Sequence, residues 1–559
     1  MSVESRPWTK FYRPDAARGE IRYPEVPVYR LLEERARQNP ELTALAFYGY
    51  TVSYGELVAQ VNRMARAFLA LGLQKGDRVM LMLPNCPAYV VAYYGALKAG
   101  GIVAQVNPLY VEREIVHIAN DSEARFIVTA DLLYGKVRQA LPQTKLERVI
   151  LAELTGSPAI GPEAVFLSQL MAEQPADEPG VEVDPQDVAV LQYTGGTTGM
   201  PKGAMLTHFN LVANVVQTEA MLQPSEPGEV RLMTILPLFH SYGMTCCMNL
   251  GLWKGYLLVL LPRFEIDQVM QAIRDWKVTH FPGVPTMHVA VLNYPDAEAY
   301  GIENLKQVSS GGAAMPVEVA EAYQQRFTAR LVEGYGLSEA SPVTHTTPTW
   351  RDGLYKRGSI GVPLPDTDVR IVDLESGTRV LGPGEEGELI IAGPQVMRGY
   401  WRRPEETAHA LREIDGKTWL YTGDVAKMDE EGRFYILDRK KEMILVGGYN
   451  VYPREIEEAL YEHPAVLEAA AIGVHDAYMG EVVKAFVALK PGMSAEPEEL
   501  IEHCRLHLAP FKVPRQIEIR PGLPKSAVGK VLRRELAHEE RLKLHQQKEV
   551  SAHESASAG

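Results

Sequence analysis

The sequence predicts an α/β protein, and three observations lead to that prediction. Short apolar runs alternate with segments of helical periodicity through the first half of the chain, which is typical of βα units in mainly parallel sheets. The stretch around residues 373–388 is rich in glycine and β-forming residues, which indicates hairpins in a β-rich subdomain of residues 350–437. After Asp438 a compact unit of about 100 residues begins, itself a plausible domain size.

The predicted strands and helices follow from the spacing of apolar side chains. In the first half, strands are predicted at residues 44–47, 79–83, 102–106, 126–129 and 149–152. Helical spacing relates Val28, Leu31, Leu32 and Ala36, and again Leu57, Val61, Ala65 and Phe68. In the last unit we expect a helix at 453–462, strands at 466–474 and 482–489, and a second helix at 498–508.

Composition limits the classes of function. The chain has 559 residues, 46% of them hydrophobic and 23% charged, which is ordinary for a soluble globular protein of three or four domain-sized units. A net charge of −14 argues against a general nucleic-acid binder, which needs a basic face. The four cysteines form no C-x-x-C pair, which fits a reducing, cytoplasmic setting. The window between Arg78 and Lys98 lacks charges, but two prolines break it, so a buried βα unit is expected there instead of a membrane span.

Residues 193–203 (YTGGTTGMPKG) predict a phosphate-binding loop. The segment follows an apolar run and precedes a helix expected near Asn210. Its glycines allow close backbone approach, successive N–H groups can form an anion-binding nest, and Lys202 adds a cation. It differs from a Walker A loop because Pro201 precedes the lysine and Gly203 follows it. An ordinary Gly/Thr turn is the alternative interpretation.

This loop resembles the signature of the adenylate-forming superfamily, which includes acyl-CoA synthetases, peptide-synthetase adenylation domains and beetle luciferases. Such enzymes make an acyl-adenylate and pyrophosphate from a carboxylate and MgATP, and most then pass the acyl group to a thiol. Many members have Ser where this chain has Gly195. The resemblance implies phosphate contacts from Thr194, Gly195, Gly196, Thr197, Thr198, Gly199 and Lys202.

Further motifs follow in the family's order, and the resemblance extends over residues 25–540. Residues 310–316 (SGGAAMP) resemble the turn that lies against adenine, and residues 333–339 (EGYGLSE) resemble the motif whose tyrosine stacks on that ring. Glu339 is implied as a Mg²⁺ ligand together with Thr197, since Mg²⁺ takes anionic oxygen ligands plus substrate phosphates. The resemblance assigns nucleotide contacts to Gly312, Ala313, Ala314, Glu333, Gly334, Tyr335, Gly336, Leu337 and Ser338.

The later motifs supply the ribose contact, the hinge and the catalytic lysine of the family. Asp424 in residues 421–424 (YTGD) resembles the ribose ligand, and Asp438 in residues 432–440 (GRFYILDRK) resembles the hinge. Lys530 in residues 524–533 (PKSAVGKVLR) resembles the lysine that reaches the α-phosphate and the carboxylate. The catalytic set implied is Lys530, Thr197, Glu339 and His240. Contacts to nucleotide or CoA are implied for Asp424, Ile436, Arg439, Lys440, Gly447, Gly448 and Tyr449.

The acid is predicted to be a medium- or long-chain fatty acid. Residues 236–243 (LPLFHSYG) contain no acid that would pair with an amino group, and the chain resembles bacterial long-chain fatty acid–CoA ligases at residues 107–110 and 281–286. The implied substrate residues are His240, Tyr242, Gly243, Met244, Gly283, Val284 and Gly311. An aryl acid–CoA ligase of the coumarate type and a non-catalytic nucleotide-binding homologue are the alternatives. The expected partners are a fatty acid, ATP and CoA without nucleic acid; peripheral contact with the inner membrane surface and a homodimer stay open.

The resemblance also completes the predicted architecture. It implies a large N-terminal domain, residues 1–437, made of two doubly wound α/β subdomains and the β-rich subdomain. A small mobile α+β domain, residues 438–545, would turn about Asp438 between adenylation and thioester formation. Residues 546–559 are polar and predict a disordered tail.

Overall fold

The structure is a computed structural model that describes residues 6–16, 21–156, 159–194, 201–476, 478–527 and 529–543. In chain order its strands are β1 Thr43–Phe47, β2 Tyr50–Ser53, β3 Arg78–Met82, β4 Ile102–Gln105, β5 Phe126–Ala130, β6 Arg148–Ala152, β7 Ala164–Phe166, β8 Val188–Thr194, β9 Lys202–Thr207, β10 Arg231–Thr234, β11 Leu257–Leu260, β12 His280–Gly283, β13 Gln307–Ser310, β14 Arg330–Gly336, β15 Val343–Thr346, β16 Val362–Pro363, β17 Asp368–Val372, β18 Gly387–Ala392, β19 Leu411–Ile414, β20 Lys417–Met428, β21 Phe434–Arg439, β22 Ile444–Val446, β23 Tyr449–Val451, β24 Val466–Asp476, β25 Gly480–Leu489 and β26 Gln516–Arg520.

The α-helices lie between these strands as the alternating pattern predicts. They are α1 Tyr29–Gln38, α2 Tyr54–Ala70, α3 Pro87–Lys98, α4 Glu112–Ser122, α5 Tyr134–Ala140, α6 Leu167–Ala172, α7 His208–Glu219, α8 Leu250–Lys254, α9 Ile266–Trp276, α10 Pro285–Leu292, α11 Val317–Arg326, α12 Pro404–Ala410, α13 Pro453–Tyr461 and α14 Pro497–His507. A π-helical turn, Gly243–Asn249, leads directly into α8.

Local sequence explains several of these boundaries. The Ser53 hydroxyl oxygen accepts a hydrogen bond from the Glu56 N–H at the start of α2, and the Glu56 carboxylate accepts one from the Ser53 N–H, which completes a capping box. Pro87 begins α3, where a missing N–H costs nothing. Because β3 and α3 are both buried, the charge-free window is a βα unit of the core, as predicted. In the described part of the chain, none of the helices combines the length and the apolarity that crossing a bilayer would require.

Two large sheets form the N-terminal domain, and both are mainly parallel. The seven-stranded sheet has the order β7–β6–β5–β3–β4–β8–β9, and the nine-stranded sheet has the order β16–β15–β14–β13–β12–β10–β11–β1–β2. In the first, β4 and β5 lie on opposite sides of β3; in the second, β11 and β12 lie on opposite sides of β10. These reversals are the switch points of doubly wound sheets, where ligands bind beyond the carboxyl ends of the strands. The predicted α/β class is therefore confirmed.

Two smaller sheets complete the fold. Strands β17 to β21 form the β-rich sheet around its own apolar cluster, which includes Ile390 and Trp419. The C-terminal sheet has the order β23–β22–β25–β24, with β26 parallel to β25. The predicted helix–strand–strand–helix order is confirmed by α13, β24, β25 and α14. The domain boundary at Asp438 stays a prediction, and the predicted tail lies outside the described residues.

Gly243 is the first residue of the π-helical turn. A glycine is needed at this position because the backbone of the preceding segment leaves no room for a side chain. A Cβ atom there would lie 2.3 Å from the Pro237 carbonyl oxygen and 2.8 Å from that of Leu236. We expect Gly243→Ala to destabilise the fold by about 1–3 kcal/mol, since overpacking forces backbone shifts. Gly135→Ala is the matched control, since nothing lies within 4 Å of its added Cβ atom. A lower midpoint of thermal unfolding in the first variant alone would confirm the prediction; equal midpoints would contradict it.

Candidate functional site

A cavity of about 1100 Å³ lies where the two mainly parallel sheets, the β-rich sheet and the C-terminal domain meet. The cavity lies at the carboxyl ends of β10, β12, β13 and β14. This is the edge of the nine-stranded sheet at which its switch point, beside β10, is expected to bind a ligand. The structure brings many of the predicted residues to its wall: Thr194, Lys202, His240, Tyr242, Val284, Gly311, Gly312, Gly334, Tyr335, Gly336, Leu337, Ser338, Glu339, Arg439, Lys440 and Lys530.

The predicted phosphate loop joins two strands of a hairpin. Thr194 at the end of β8 pairs with Lys202 at the start of β9, so the two ends of the loop are held side by side. The sequence pattern placed a helix after the loop and missed β9, which precedes α7. Gly195, Gly196, Thr197, Thr198 and Gly199 lie outside the described residues.

Tyr400 connects the lysine of this hairpin to Glu339. Its hydroxyl donates a 2.8 Å hydrogen bond to Glu339 Oε1, and Lys202 Nζ lies 5.5 Å from the centre of its ring. Lys202 Nζ also lies 3.8 Å from Glu406 Oε1. Neither Tyr400 nor Glu406 carries a local sequence signal, since both come to the cavity from distant parts of the chain. The arrangement places a carboxylate and an ammonium group on one wall of the cavity.

Tyr335, Asp424 and Arg439 form a second polar group. The Tyr335 hydroxyl donates to Asp424 Oδ2, and Arg439 Nε lies 3.4 Å from Asp424 Oδ1. Antiparallel pairing of β20 with β21 sets Asp424 opposite Arg439. Burial raises the pKa of Asp424, and Arg439 opposes that rise. The tyrosine ring is therefore fixed at its hydroxyl end by a buried carboxylate.

His240 is uncharged at neutral pH. Burial, and then the nearby Lys530 ammonium, lower its pKa to about 4. The Tyr242 backbone N–H donates to His240 Nδ1 over 3.3 Å, so the ring proton belongs to Nε2. His240 can therefore offer a neutral N–H donor to a group in the cavity.

Lys530 enters the cavity from a tight turn of the C-terminal domain. Within the turn, the Ser526 N–H donates to the Lys530 carbonyl and the Gly529 N–H donates to the Ser526 carbonyl, each over 2.8 Å. The Thr286 hydroxyl, in the first turn of α10, donates to the Gly529 carbonyl over 3.3 Å. Burial, followed by the Arg439 guanidinium, holds the pKa of Lys530 below its usual value.

Arg533, three residues after Lys530, anchors this turn. Its guanidinium contacts Asp438 at 2.8 Å, Glu442 at 2.7 Å and Glu457 at 2.6 Å. Asp438 also accepts hydrogen bonds from the backbone N–H groups of Arg439 and Arg454. The residue predicted to be the hinge is thus tied to the segment that carries Lys530, a link that sequence reasoning missed.

Other predicted residues lie away from the cavity wall. Gly447, Gly448 and Tyr449 form the exposed turn between β22 and β23, where the Tyr449 ring stacks on Phe511 at 4.7 Å. The structure does not bring the following predicted residues to the wall: Gly243, Met244, Gly283, Ala313, Ala314, Glu333, Asp424, Ile436, Gly447, Gly448 and Tyr449. Of these, Asp424 contacts the wall through Tyr335.

Three of these residues instead have packing contacts. Gly243 lies against the Pro237 carbonyl, and Gly283 lies so close to the His288 ring that a Cβ atom would meet it at 2.9 Å. Met244 is buried, and its sulfur accepts a hydrogen bond from Gln105. Close packing accounts for the small side chains at the two glycines.

The cavity extends along strands β12, β13 and β14 of the nine-stranded sheet, and we call this part the slot. The wall contains residues of three neighbouring strands, β12, β13 and β14, and of the positions that directly follow β12 and β13: His280, Phe281, Pro282 and Val284; Gln307, Ser309, Ser310 and Gly311; Val332, Gly334, Tyr335 and Gly336. The lining also includes residues from the segment after α7, from the π-helical region and from the start of α8: Leu222, Tyr242, Cys246 and Leu250. From Gln307 to Gly311 the slot runs about 13 Å, at about 3.3 Å per residue.

The chain is similar to known proteins over most of its length. Residues 32–401 match the AMP-binding enzyme family, and residues 455–530 match the AMP-binding enzyme C-terminal domain. A long-chain-fatty-acid–CoA ligase of Bacillus subtilis (strain 168) is 44% identical, with 96% of this chain and 98% of the relative covered. A feruloyl-CoA synthase of Amycolatopsis sp is 37% identical, with 90% and 96% covered. The anthranilate CoA ligase AuaEII in complex with anthranoyl-AMP superposes with a TM-score of 0.86 at 25% identity, covering 94% of this chain and 98% of that one.

Glu333 gives the fold a specific pH dependence. Burial raises its pKa from 4.5 to about 7, and Tyr355 donates a 2.9 Å hydrogen bond to it. The folded state therefore binds more protons than the unfolded state between about pH 4.5 and pH 7. This contribution to stability is present below about pH 4.5 and is lost as the pH rises through about 7.

Glu333→Gln should remove that dependence while keeping an oxygen for Tyr355. Since one pKa unit corresponds to about 1.4 kcal/mol, we expect the variant to gain about 3 kcal/mol over wild type across that window. Denaturant unfolding from pH 4.5 to 8 measures the difference, with exposed Glu375→Gln as control. A constant difference between Glu333→Gln and wild type over this range would show that the prediction is wrong.

Proposed function

The chain belongs to the AMP-binding enzyme family, and on that premise we propose that it converts a medium- or long-chain fatty acid, ATP and CoA into acyl-CoA, AMP and pyrophosphate. One observation carries the proposal. The wall of a single cavity contains Lys202, Glu339, Tyr335 and Lys530 and also the residues of the slot along β12, β13 and β14. The same cavity therefore offers charged groups that can bind a triphosphate and space that can hold an acyl chain.

The adenosine end of ATP is assigned to Tyr335, Asp424 and Arg439. The Tyr335 ring is held at its hydroxyl by Asp424, which suits it to stack on adenine with little loss of side-chain freedom. A carboxylate can accept from both ribose hydroxyls, and Arg439 lies beside it to contact ribose or phosphate. Gly312, which follows the slot residue Gly311, leaves room for a flat ring against the backbone.

The β- and γ-phosphates are assigned to Lys202 and the loop that precedes it. The donors present also fit Mg²⁺, because Glu339 offers a carboxylate on the cavity wall, steadied at Oε1 by Tyr400. We therefore assign Glu339 and Thr197 as the protein ligands of the ion. When bound, Mg²⁺ would neutralise charge on the phosphate oxygens.

In the first half-reaction a fatty acid carboxylate oxygen attacks the α-phosphorus, and the bond to pyrophosphate breaks. No general base is needed because a carboxylic acid is already ionised at neutral pH. Lys530 stabilises the negative charge that grows on the phosphoryl oxygens. His240, neutral with its proton on Nε2, donates a hydrogen bond to the carboxylate without forming an ion pair that would hold it back.

In the second half-reaction the CoA thiol attacks the adenylate carbonyl, the thioester forms, AMP leaves and the thiol proton passes to solvent. We assign this step to a second orientation of the C-terminal domain, reached by rotation about Asp438. Two observations support the assignment. The turn with Gly447, Gly448 and Tyr449 is exposed outside the cavity, and the turn that carries Lys530 is attached to α10 only through a 3.3 Å hydrogen bond from Thr286 to the Gly529 carbonyl among the contacts described above.

The slot favours a fatty acid over an aryl acid. Each buried CH₂ group contributes about 0.8 kcal/mol, so a slot of about 13 Å rewards an extended chain. An aryl acid is the second candidate, because relatives include a feruloyl-CoA synthase and an anthranilate CoA ligase.

Lys530→Ala should lose adenylate formation by at least about 100-fold, because removing a positioned charge-stabilising group typically costs that much. The variant should still convert a supplied acyl-adenylate into the thioester at close to the wild-type rate. Pyrophosphate release and acyl-CoA formation are measured separately, with Lys525→Ala from the same turn as the control. Equal loss of both half-reactions would rule out the assigned role.

A panel of acids tests the substrate assignment. Pyrophosphate release by the wild type should rise with chain length from short to long fatty acids and should be lower with coumarate. Ser309→Phe should shift the preference to shorter acids because Ser309 lies midway along the slot wall, whereas Ser309→Ala should keep the wild-type order. A preference for coumarate over every fatty acid would favour the aryl alternative, and no release with any acid would favour a binding role.

A further inference from the structure

Three side chains with metal-ligand chemistry meet on the surface of the C-terminal domain, away from the cavity wall. They are Glu462, His503 and His507, and one ligand atom from each lies within 4.8 Å of the others. His507 Nε2 is 3.1 Å from Glu462 Oε2, and the two imidazole rings are 4.4 Å apart.

The packing of two helices creates this juxtaposition. His503 and His507 are four residues apart in the last turns of α14, so their side chains lie on the same face of that helix. Glu462 is the residue that follows α13. His503 Nε2 lies 2.9 Å from the carbonyl of Ala459 in α13, which fixes the two helix ends against each other.

Each of the two histidines uses one ring nitrogen for a hydrogen bond to a backbone carbonyl, and this determines which of its nitrogens carries a lone pair. A carbonyl oxygen only accepts, so His503 donates from Nε2 to Ala459 and His507 donates from Nδ1 to the His503 carbonyl. This leaves Nδ1 of His503 and Nε2 of His507 as the nitrogens with lone pairs. Histidines that bind metals commonly donate their other ring N–H to a carbonyl in this way.

We propose that Glu462, His503 and His507 bind a divalent transition-metal ion of the zinc type. Two imidazole nitrogens and one carboxylate oxygen form a donor set that suits Zn²⁺, with water completing the coordination. Mg²⁺ and Ca²⁺ prefer oxygen ligands, so the imidazoles select against them. Neighbouring His463 and Glu499 form their own contact, with His463 Nε2 3.5 Å from Glu499 Oε1.

Such an ion would link the end of α13 to the end of α14. The same α13 contacts the predicted hinge through the Arg454 backbone and the N-terminal domain through Glu458, which accepts a hydrogen bond from the Val317 N–H. Binding should therefore stabilise the C-terminal domain. The sequence shows only the His-Cys-x-x-His pattern around Cys504, which is buried in the domain core, whereas the third ligand follows α13 and is distant in sequence.

Zinc titration of the full-length protein, first freed of metal with a chelator, tests the proposal. Isothermal titration calorimetry with ZnCl₂ should detect one site in the wild type, in His475→Ala and in Glu499→Gln. His507→Ala and Glu462→Gln should weaken that site by more than about tenfold. Zinc should also raise the midpoint of thermal unfolding in the wild type and both controls, since a ligand that binds only the folded state stabilises it.

The control variants separate this site from adventitious zinc elsewhere. His475 is an exposed histidine of the same domain, and Glu499 neighbours the cluster without belonging to it. Unfolding of the metal-free variants checks that the substitutions leave the fold intact. Equal zinc affinity in His507→Ala and the wild type, or no binding by the wild type, would overturn the proposal.

Discussion

The buried guanidinium of Arg533 is the contact on which the geometry of the site depends. Three carboxylates, those of Asp438, Glu442 and Glu457, surround it within hydrogen-bonding distance. A buried charge is tolerated only when it is paired and hydrogen-bonded, and removing one partner leaves the others uncompensated. Because Lys530 lies three residues away on the same segment, this cluster determines where the lysine can reach relative to Asp438, the predicted hinge.

Much of the fold was predictable because the apolar periodicity is strong. The early strands, the buried βα unit and the elements of the C-terminal domain lie within a few residues of their predicted ranges. Strand β9 was missed because its sequence KGAMLT has little apolar alternation, and because its antiparallel pairing with β8 is not visible in a local pattern. Pairing partners are a property of the three-dimensional fold, which local patterns do not record.

The residues of the candidate site were predictable where they belong to a motif. They were not predictable where they contact a motif residue that is distant in sequence. Tyr335 and Lys530 carry a family pattern, and both line the cavity. Tyr400 and Arg533 have equally important contacts, but each partner is distant in sequence. The sequence also does not show which residues of a motif face the cavity. Gly243 and Gly283 lie in the predicted segments, but Gly243 packs against the Pro237 carbonyl and Gly283 packs against the His288 ring.

The attachment of the Lys530 turn to α10 has a consequence for energetics. A hydrogen bond such as that from Thr286 to Gly529 replaces one with water, so its net contribution is only about 1 kcal/mol. The lysine is therefore held by a contact that is easily exchanged, while Arg533 keeps its own segment intact. Under the proposed rotation about Asp438, the ligand that binds each arrangement better sets their relative populations, and substrate turnover would order the domain positions.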